Sequence, residues 1–408
     1  MSWSSETPGT KIHHMNYGGC VGSAAREHKP DRTPGLVPLL ILTALAFAGH
    51  ALLFPVAPLW VVQHGSDTAG AGAVNAVLML STVLTQLGVP YALRRFGWST
   101  TLIIGMVFLG VPSVLHIFTS NLETVLVLAA LRGVGFGVLT VAGAAAVAEL
   151  SDPAHRGKAL GAYGLAIAVP QFVLIPLAPW VALNVNFWIV FIAGACPLVA
   201  LLVVFPLCRH VGRGEPHSVA VHGEKAPLIK RRLVAPMLIL LGVTAAAGAL
   251  LTFIPQMTDS GVAALVALLV LTAAAAWSRM WFGALADRYG TAPFKAPLIG
   301  VTVVGLLMVA AAVATSGTQQ WALLLGGVAL IGTSYGGLQN LTLLDSFVAA
   351  GPSRNSTASA TWNIGFDAGT GVGALSVGMI AVQGGFSIAF VVIAVLSLLT
   401  LPLARQAR

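Results

Sequence analysis

The chain has 408 residues, 57% of them hydrophobic and 8% charged, with a formal net charge of +8 at pH 7. Soluble domains carry about 25% charged residues, so a soluble globular chain is excluded and lipid must be the solvent along most of the length. The Lys and Arg are scattered between apolar runs and build no basic, aromatic-lined domain, which excludes a nucleic-acid partner.

Residues 1–35 mix Gly, Ser, His and charges and read as a disordered cytoplasmic leader without a cleavable signal pattern; Met15 is an alternative start. Apolar runs then recur near 36–62, 69–93, 99–119, 122–148, 157–183, 187–208, 233–257, 262–286, 294–315, 319–349, 355–381 and 385–402. Each has roughly the 17–25 residues that cross a bilayer. Hydrocarbon offers the backbone no hydrogen-bond partner, so each run must be a helix. The runs do not alternate apolar with polar, as barrel strands would. The run at 319–349 is long and invites a bend at Gly336–Gly337. The expected fold is an all-α membrane protein of twelve transmembrane helices. Its parts are the leader 1–35, a six-helix bundle 36–208, a basic cytoplasmic loop 209–232, a second bundle 233–402 and a tail 403–408.

Charge supports that count. With twelve crossings, every Lys and Arg except Arg132 and Arg279 falls in the breaks on one side or at their edges, as Lys158 and Lys295 do, and the opposite side receives none. The positive-inside rule makes that side, and both termini, cytoplasmic in a cell membrane. The halves also echo each other. Arg94-Arg95-Phe96-Gly97 follows the second run and Asp287-Arg288-Tyr289-Gly290 follows the eighth; Pro153-Ala-His-Arg156 precedes the fifth and Pro352-Ser-Arg354 the eleventh. Repeats packed about a midplane site are a common transporter plan.

Gly283-Ala-Leu-Ala-Asp287-Arg288-Tyr289-Gly290 resembles the loop motif of the major facilitator superfamily, Gly-x-x-x-Asp-Arg-x-Gly. The first-half copy, Pro90 to Gly97, has Pro for the Gly and Arg94 for the Asp. Leu131-Arg132-Gly133-Val-Gly135-Phe-Gly137 resembles the helix-four segment of bacterial drug/proton antiporters, and Asn363-Ile-Gly-Phe-Asp367-Ala-Gly-Thr-Gly371 is similar to efflux-like members. The helix-five antiporter motif is reduced to Pro170 in Ala168-Val-Pro-Gln-Phe-Val173. The resemblance spans about residues 36–402 and implies two bundles around a central cavity, alternating access, a monomer and no cofactor.

Ionisable groups inside a bilayer face a cavity or a partner, and this chain has few. Asp367 reads as a proton carrier or cation contact, or as a buried Asp bonded to helix seven or ten. Arg132 reads as a cation facing the cavity and tuning Asp367, or as a structural Arg on helix carbonyls. His50 suits a proton relay or an interhelical bond. Asn363 and Trp362 are candidate cavity residues, as are the uncharged Asn75, Gln86, Gln171, Gln256, Gln339, Asn340 and Phe366. Gly283, Asp287, Arg288, Gly290, Arg279, Asp345, Arg354, Arg95 and Gly97 form the expected cytoplasmic gate, with Asp287 meeting the positive start of helix eleven, Arg279 or Arg354. For the gate charges the plain alternative is interfacial snorkelling.

No phosphate-binding loop is present, and Cys20, Cys196 and Cys208 with the dispersed His have no metal spacing. No enzyme, cofactor or metal is therefore expected. The expected partners are the lipid bilayer, a small-molecule substrate and protons. The function expected is proton-coupled efflux of small amphipathic or drug-like compounds. The alternatives are transport of a metabolite such as a sugar or organic acid and, from another class, a non-transporting scaffold or sensor.

Overall fold

The computed structural model describes residues 35–151, 156–211, 231–351 and 355–406. The expected leader, most of the 209–232 loop and Arg354 lie outside the described residues. The apolar runs form α1 (Leu36–Gln63), α2 (68–96), α3 (98–115), α4 (Leu122–Leu150), α5 (Arg156–Asn184), α6 (Phe187–Cys208), α7 (Arg231–Met257), α8 (Gly261–Tyr289), α9 (Ala292–Val313), α10 (Gly317–Ala350), α11 (355–384) and α12 (386–398). Among the described residues, ten helices are long and apolar enough to cross a membrane. Two of these are double-length, Thr68–Leu115 and Asn355–Leu398, and each is broken by one glycine, Gly97 (φ 78) and Gly385 (φ 72). Counting each as two crossings gives the all-helical, twelve-crossing fold.

The turns follow from local chemistry. At the face opposite the termini, Asp67, Asn121, Asn186 and Ser260 cap α2, α4, α6 and α8 by accepting from backbone N–H groups of the first turn. At the face of the termini, Gly97 (φ 78, ψ 172) and Gly290 (φ 75, ψ 175) hold nearly the same left-handed turn between α2 and α3 and between α8 and α9. A side chain there would be strained, which explains the glycine in both copies of the motif. The bend expected at Gly336–Gly337 does not occur, because α10 is one unbroken helix of 34 residues. A Cβ on Gly336 would lie 2.0 Å from the Ala275 carbonyl oxygen. These glycines let α8 and α10 touch backbone to backbone.

The core shows how the halves meet. One buried cluster near the face opposite the termini draws on both halves, with Phe54, Val74, Leu78 and Ala129 beside Leu250, Phe253, Leu268, Val309 and Phe390. Toward the termini the buried residues divide. Leu42, Met106, Leu139 and Val204 belong to a cluster of the first half, and Leu240, Leu298, Leu338 and Trp362 to one of the second. The first turns of α5 are largely uncovered, with Leu160 50% and Leu165 64% exposed. The halves are thus joined at one face and parted at the other.

The joined face rests on α2 against α11. A Cβ on Gly72 would lie 2.4 Å from the Ala374 carbonyl oxygen, and one on Gly378 2.4 Å from that of Thr68. Thr68 Oγ1 also donates to the Gly378 carbonyl at 3.0 Å. Asn75, fully buried, donates to the Phe54 carbonyl at 3.0 Å and to Thr252 Oγ1 on α7 at 2.9 Å. Asn75→Ala is expected to lower stability by about 1–3 kcal/mol, read as a fall in Tm of purified protein. It should also raise maleimide labelling of a cysteine placed at buried Leu78; unchanged labelling would detach Asn75 from closure of this face.

Candidate functional site

Gln86 and Asp367 bring the two halves together at the level where they begin to part. Asp367, on α11, is the only acid buried among the described residues, 4% exposed. Its Oδ2 accepts from Gln86 Nε2 on α2 at 2.7 Å. Gln86 Nε2 also donates to Thr140 Oγ1 on α4 at 3.1 Å, so one amide ties three helices together. Glycines set this geometry. A Cβ on Gly371 would meet the Met79 side chain at 2.9 Å; one on Gly373 would lie 2.0 Å from the Ala245 carbonyl oxygen of α7. Pressed between α2 and α7, α11 presents Asp367 to Gln86.

A second group lines the same level in the second half. Trp362 Nε1 donates to Thr342 Oγ1 at 3.1 Å, and Phe366 stacks on Trp362 with ring centroids 5.5 Å apart. Tyr335 on α10 lies 6.1 Å from the Phe366 ring and within electrostatic reach of Arg279 and Asp367. Arg279 Nη1 donates to Gln339 Oε1 at 3.2 Å, and the Arg279 carbonyl accepts from Asn340 Nδ2 at 3.1 Å. Gly283 makes room for that amide, since a Cβ there would lie 2.6 Å from Asn340 Nδ2. Asn363 is half-buried beside Trp362.

Arg132 is not part of this group. It is 1% exposed inside the first half, and its Nε and Nη2 have no hydrogen-bond partner among the described residues. One turn along α4, Phe136 stacks on His50 with centroids 3.8 Å apart and planes at 9°. His116 is fully buried nearby, its Nδ1 2.7 Å from the Pro112 carbonyl. No ion pair joins Arg132 to Asp367 among the described residues.

The expected gate divides into three. Asp287 and Arg288 are exposed, and Arg288 sits 5.2 Å over the ring of its neighbour Tyr289. Asp287 has no ion pair among the described residues, and Arg279 holds Gln339 instead. Arg95 is also exposed, while Gly97 and Gly290 make the turns. Asp345 is paired within the second half. Its Oδ2 pairs with Lys295 Nζ at 2.6 Å and its Oδ1 accepts from Thr291, locking α9 to α10 within the second half. Lys295 is fully buried, a correction to its placement in an interfacial break, because the turn at Gly290 feeds it directly under α10.

Sequence reasoning missed Thr140, Tyr335, His116 and Lys295. The four-residue spacing of Tyr335 and Gln339 on one face of α10 was the signal for the second group; none marked Lys295.

The sequence profile of the Major Facilitator Superfamily matches residues 39–358. The chain belongs to the Major Facilitator Superfamily. Superfamily members are membrane transporters, not enzymes. The chain is 27% identical over 220 residues to the probable 4-methylmuconolactone transporter of Cupriavidus pinatubonensis, covering 50% of each. It is 25% identical over 221 residues to the probable vesicular acetylcholine transporter-B of Danio rerio, covering 50% of this chain and 44% of that protein. The matches thus span about half, or less, of these curated relatives. Among solved structures, a bacterial homologue of the human lysosomal transporter Spinster, inward-facing and occupied, aligns with TM-score 0.73 at 16% identity over 93% of this chain and 97% of that one. The xylose transporter XylE from E. coli, partially occluded and inward open, aligns at 0.68 with 16% identity over 91% and 96%. At such identities the likeness is one of fold alone.

A buried ion pair is dear to break and cheap to replace. Lys295→Met is expected to cost about 3–5 kcal/mol, and Lys295→Met with Asp345→Leu to recover most of it. Thermal unfolding in detergent checks this; equal losses in both variants would refute the pairing.

Proposed function

We propose that the chain is a secondary active transporter of small amphipathic organic compounds, driven by protons and working by alternating access between bundles 36–208 and 233–402. The bond from Gln86 to Asp367 carries this reading. It crosses from one half to the other, and its acceptor is a group that can take up a proton. An ionised Asp367 only accepts; a protonated one also donates. Gain or loss of the proton therefore changes what α2 and α11 offer each other, and a proton that binds one access state better shifts the population toward it. Substrate would bind where Trp362, Phe366, Tyr335 and Asn363 meet Gln86, near the midplane. Asp287 and Arg288, with Arg95, Gly97 and Gly290, would close the gate in the other state. Arg132 and His50 would act on the site indirectly, from inside the first bundle.

Asp367→Asn is expected to abolish accumulation driven by a pH gradient in proteoliposomes, by about tenfold or more, while substrate exchange without a gradient persists. Gradient-driven accumulation that survives the change would remove Asp367 from coupling.

Export is the direction that the helix-four segment around Arg132 supports, by its resemblance to drug/proton antiporters. A second reading, uptake of a metabolite such as an organic acid, is favoured by Arg279, a cation exposed beside the aromatic group, and by the likeness to a probable 4-methylmuconolactone transporter. The basic breaks support cytoplasmic termini in a cell membrane and, with them, a parted face toward the cytoplasm. Cysteines replacing Arg156 and Arg288 should both be labelled from the cytoplasmic side alone; opposite sides would overturn this topology.

A further inference from the structure

Arg279 is exposed although it lies well inside an apolar helix. A guanidinium at membrane depth is costly and normally faces the bundle interior or a water-filled cavity; its bond to Gln339 on α10 turns Arg279 toward the bundle interior. Gln339 takes one of its five donors, and no carboxylate lies within ion-pairing distance among the described residues. Tyr335, one turn before Gln339 on α10, is followed by the rings of Phe366 and Trp362, at centroid distances of 6.1 Å and 5.5 Å in turn, and Phe366 is the chain neighbour of Asp367. Arg279 and Asp367 are the charged groups that act on Tyr335.

We propose that the transported compound is an organic anion: Arg279 grips its carboxylate, Tyr335, Phe366 and Trp362 hold its ring, and one proton joins it on Asp367. This rests on proton coupling and on the second reading above, uptake of an organic acid, and adds that anion and proton bind together. In the empty site an ionised Asp367 offsets Arg279. An arriving carboxylate would leave one net negative charge in a low-dielectric site, which is costly. A proton on Asp367 restores neutrality, so anion and proton bind together. That is the sign of symport; in antiport the proton would compete with the substrate.

The test uses purified full-length protein with benzoate and phenylacetate, each paired with its primary amide, by thermal shift and calorimetry. The carboxylates should bind and the amides should not. Carboxylate affinity should rise as pH falls from about 8, by up to about tenfold per unit, and level off toward about pH 6 as the empty site itself takes up the proton, a range in which the probes stay ionised. Arg279→Gln should lose the binding, while Arg279→Lys, which keeps the charge, should still prefer carboxylate to amide. Asp367→Asn should bind carboxylate with the pH dependence gone, because the amide stands in for the protonated acid. Equal binding of the amides, no binding of either carboxylate, retained binding in Arg279→Gln, or affinity that falls with falling pH would each overturn the proposal. The anion preference can fail while Asp367→Asn still abolishes gradient drive, so its failure is distinguishable from failure of the proton-coupled reading.

Discussion

The contact of α2 with α11 is the constraint on which the rest of the molecule depends. Gly72, Gly371 and Gly378 bring the two backbones into contact, and no side chain larger than hydrogen fits at Gly72 or Gly378 without displacing a carbonyl. That approach joins two otherwise separate bundles at one face. It also sets Gln86 opposite Asp367, so the closed face and the polar site are consequences of one packing event. In a bilayer such close approach stands in for the hydrophobic effect, because lipid is as apolar as the helices it surrounds.

The polar side chains fall into a hierarchy by how they are satisfied. Lys295 and Asp345 neutralise each other inside one half and tie two neighbouring helices. Asn75 spends its donors across the joined face. Gln86 and Asp367 link the halves with an acceptor that can change its protonation. Arg279 spends one donor on Gln339 beside an aromatic shelf and has no ion pair among the described residues. Groups whose partners lie within a rigid half can only stabilise it. Groups whose partners lie across the division, or remain open, are the ones that can report substrate or proton to the access equilibrium.

Arg132 shows the limit of reasoning by residue type. In sequence it is a rare intramembrane cation on the same footing as Arg279. In the fold it is enclosed within the first half near His50 and His116, whereas Arg279 is exposed and bonded to Gln339 on α10. Position along a helix gives depth, but the facing direction decides whether a charge meets water, a partner or neither. The gate set divided for the same reason: Asp287 and Arg288 stayed exposed, while Asp345 turned into the second half.

By itself the sequence determined that the chain is a lipid-bathed bundle of twelve crossings, where those crossings begin and end, and which residues are too polar to ignore. Those properties follow from transfer of each segment into hydrocarbon and are read along one dimension of the chain. The repeat of the Gly97 and Gly290 turns was legible too, because a left-handed turn demands glycine locally. Only the tertiary structure decided that Gln86 holds Asp367, that Lys295 is buried against Asp345, and which face is closed. Those outcomes depend on which faces of sequence-distant helices come within van der Waals contact, a property of pairs of surfaces that hydropathy along one strand of text does not encode.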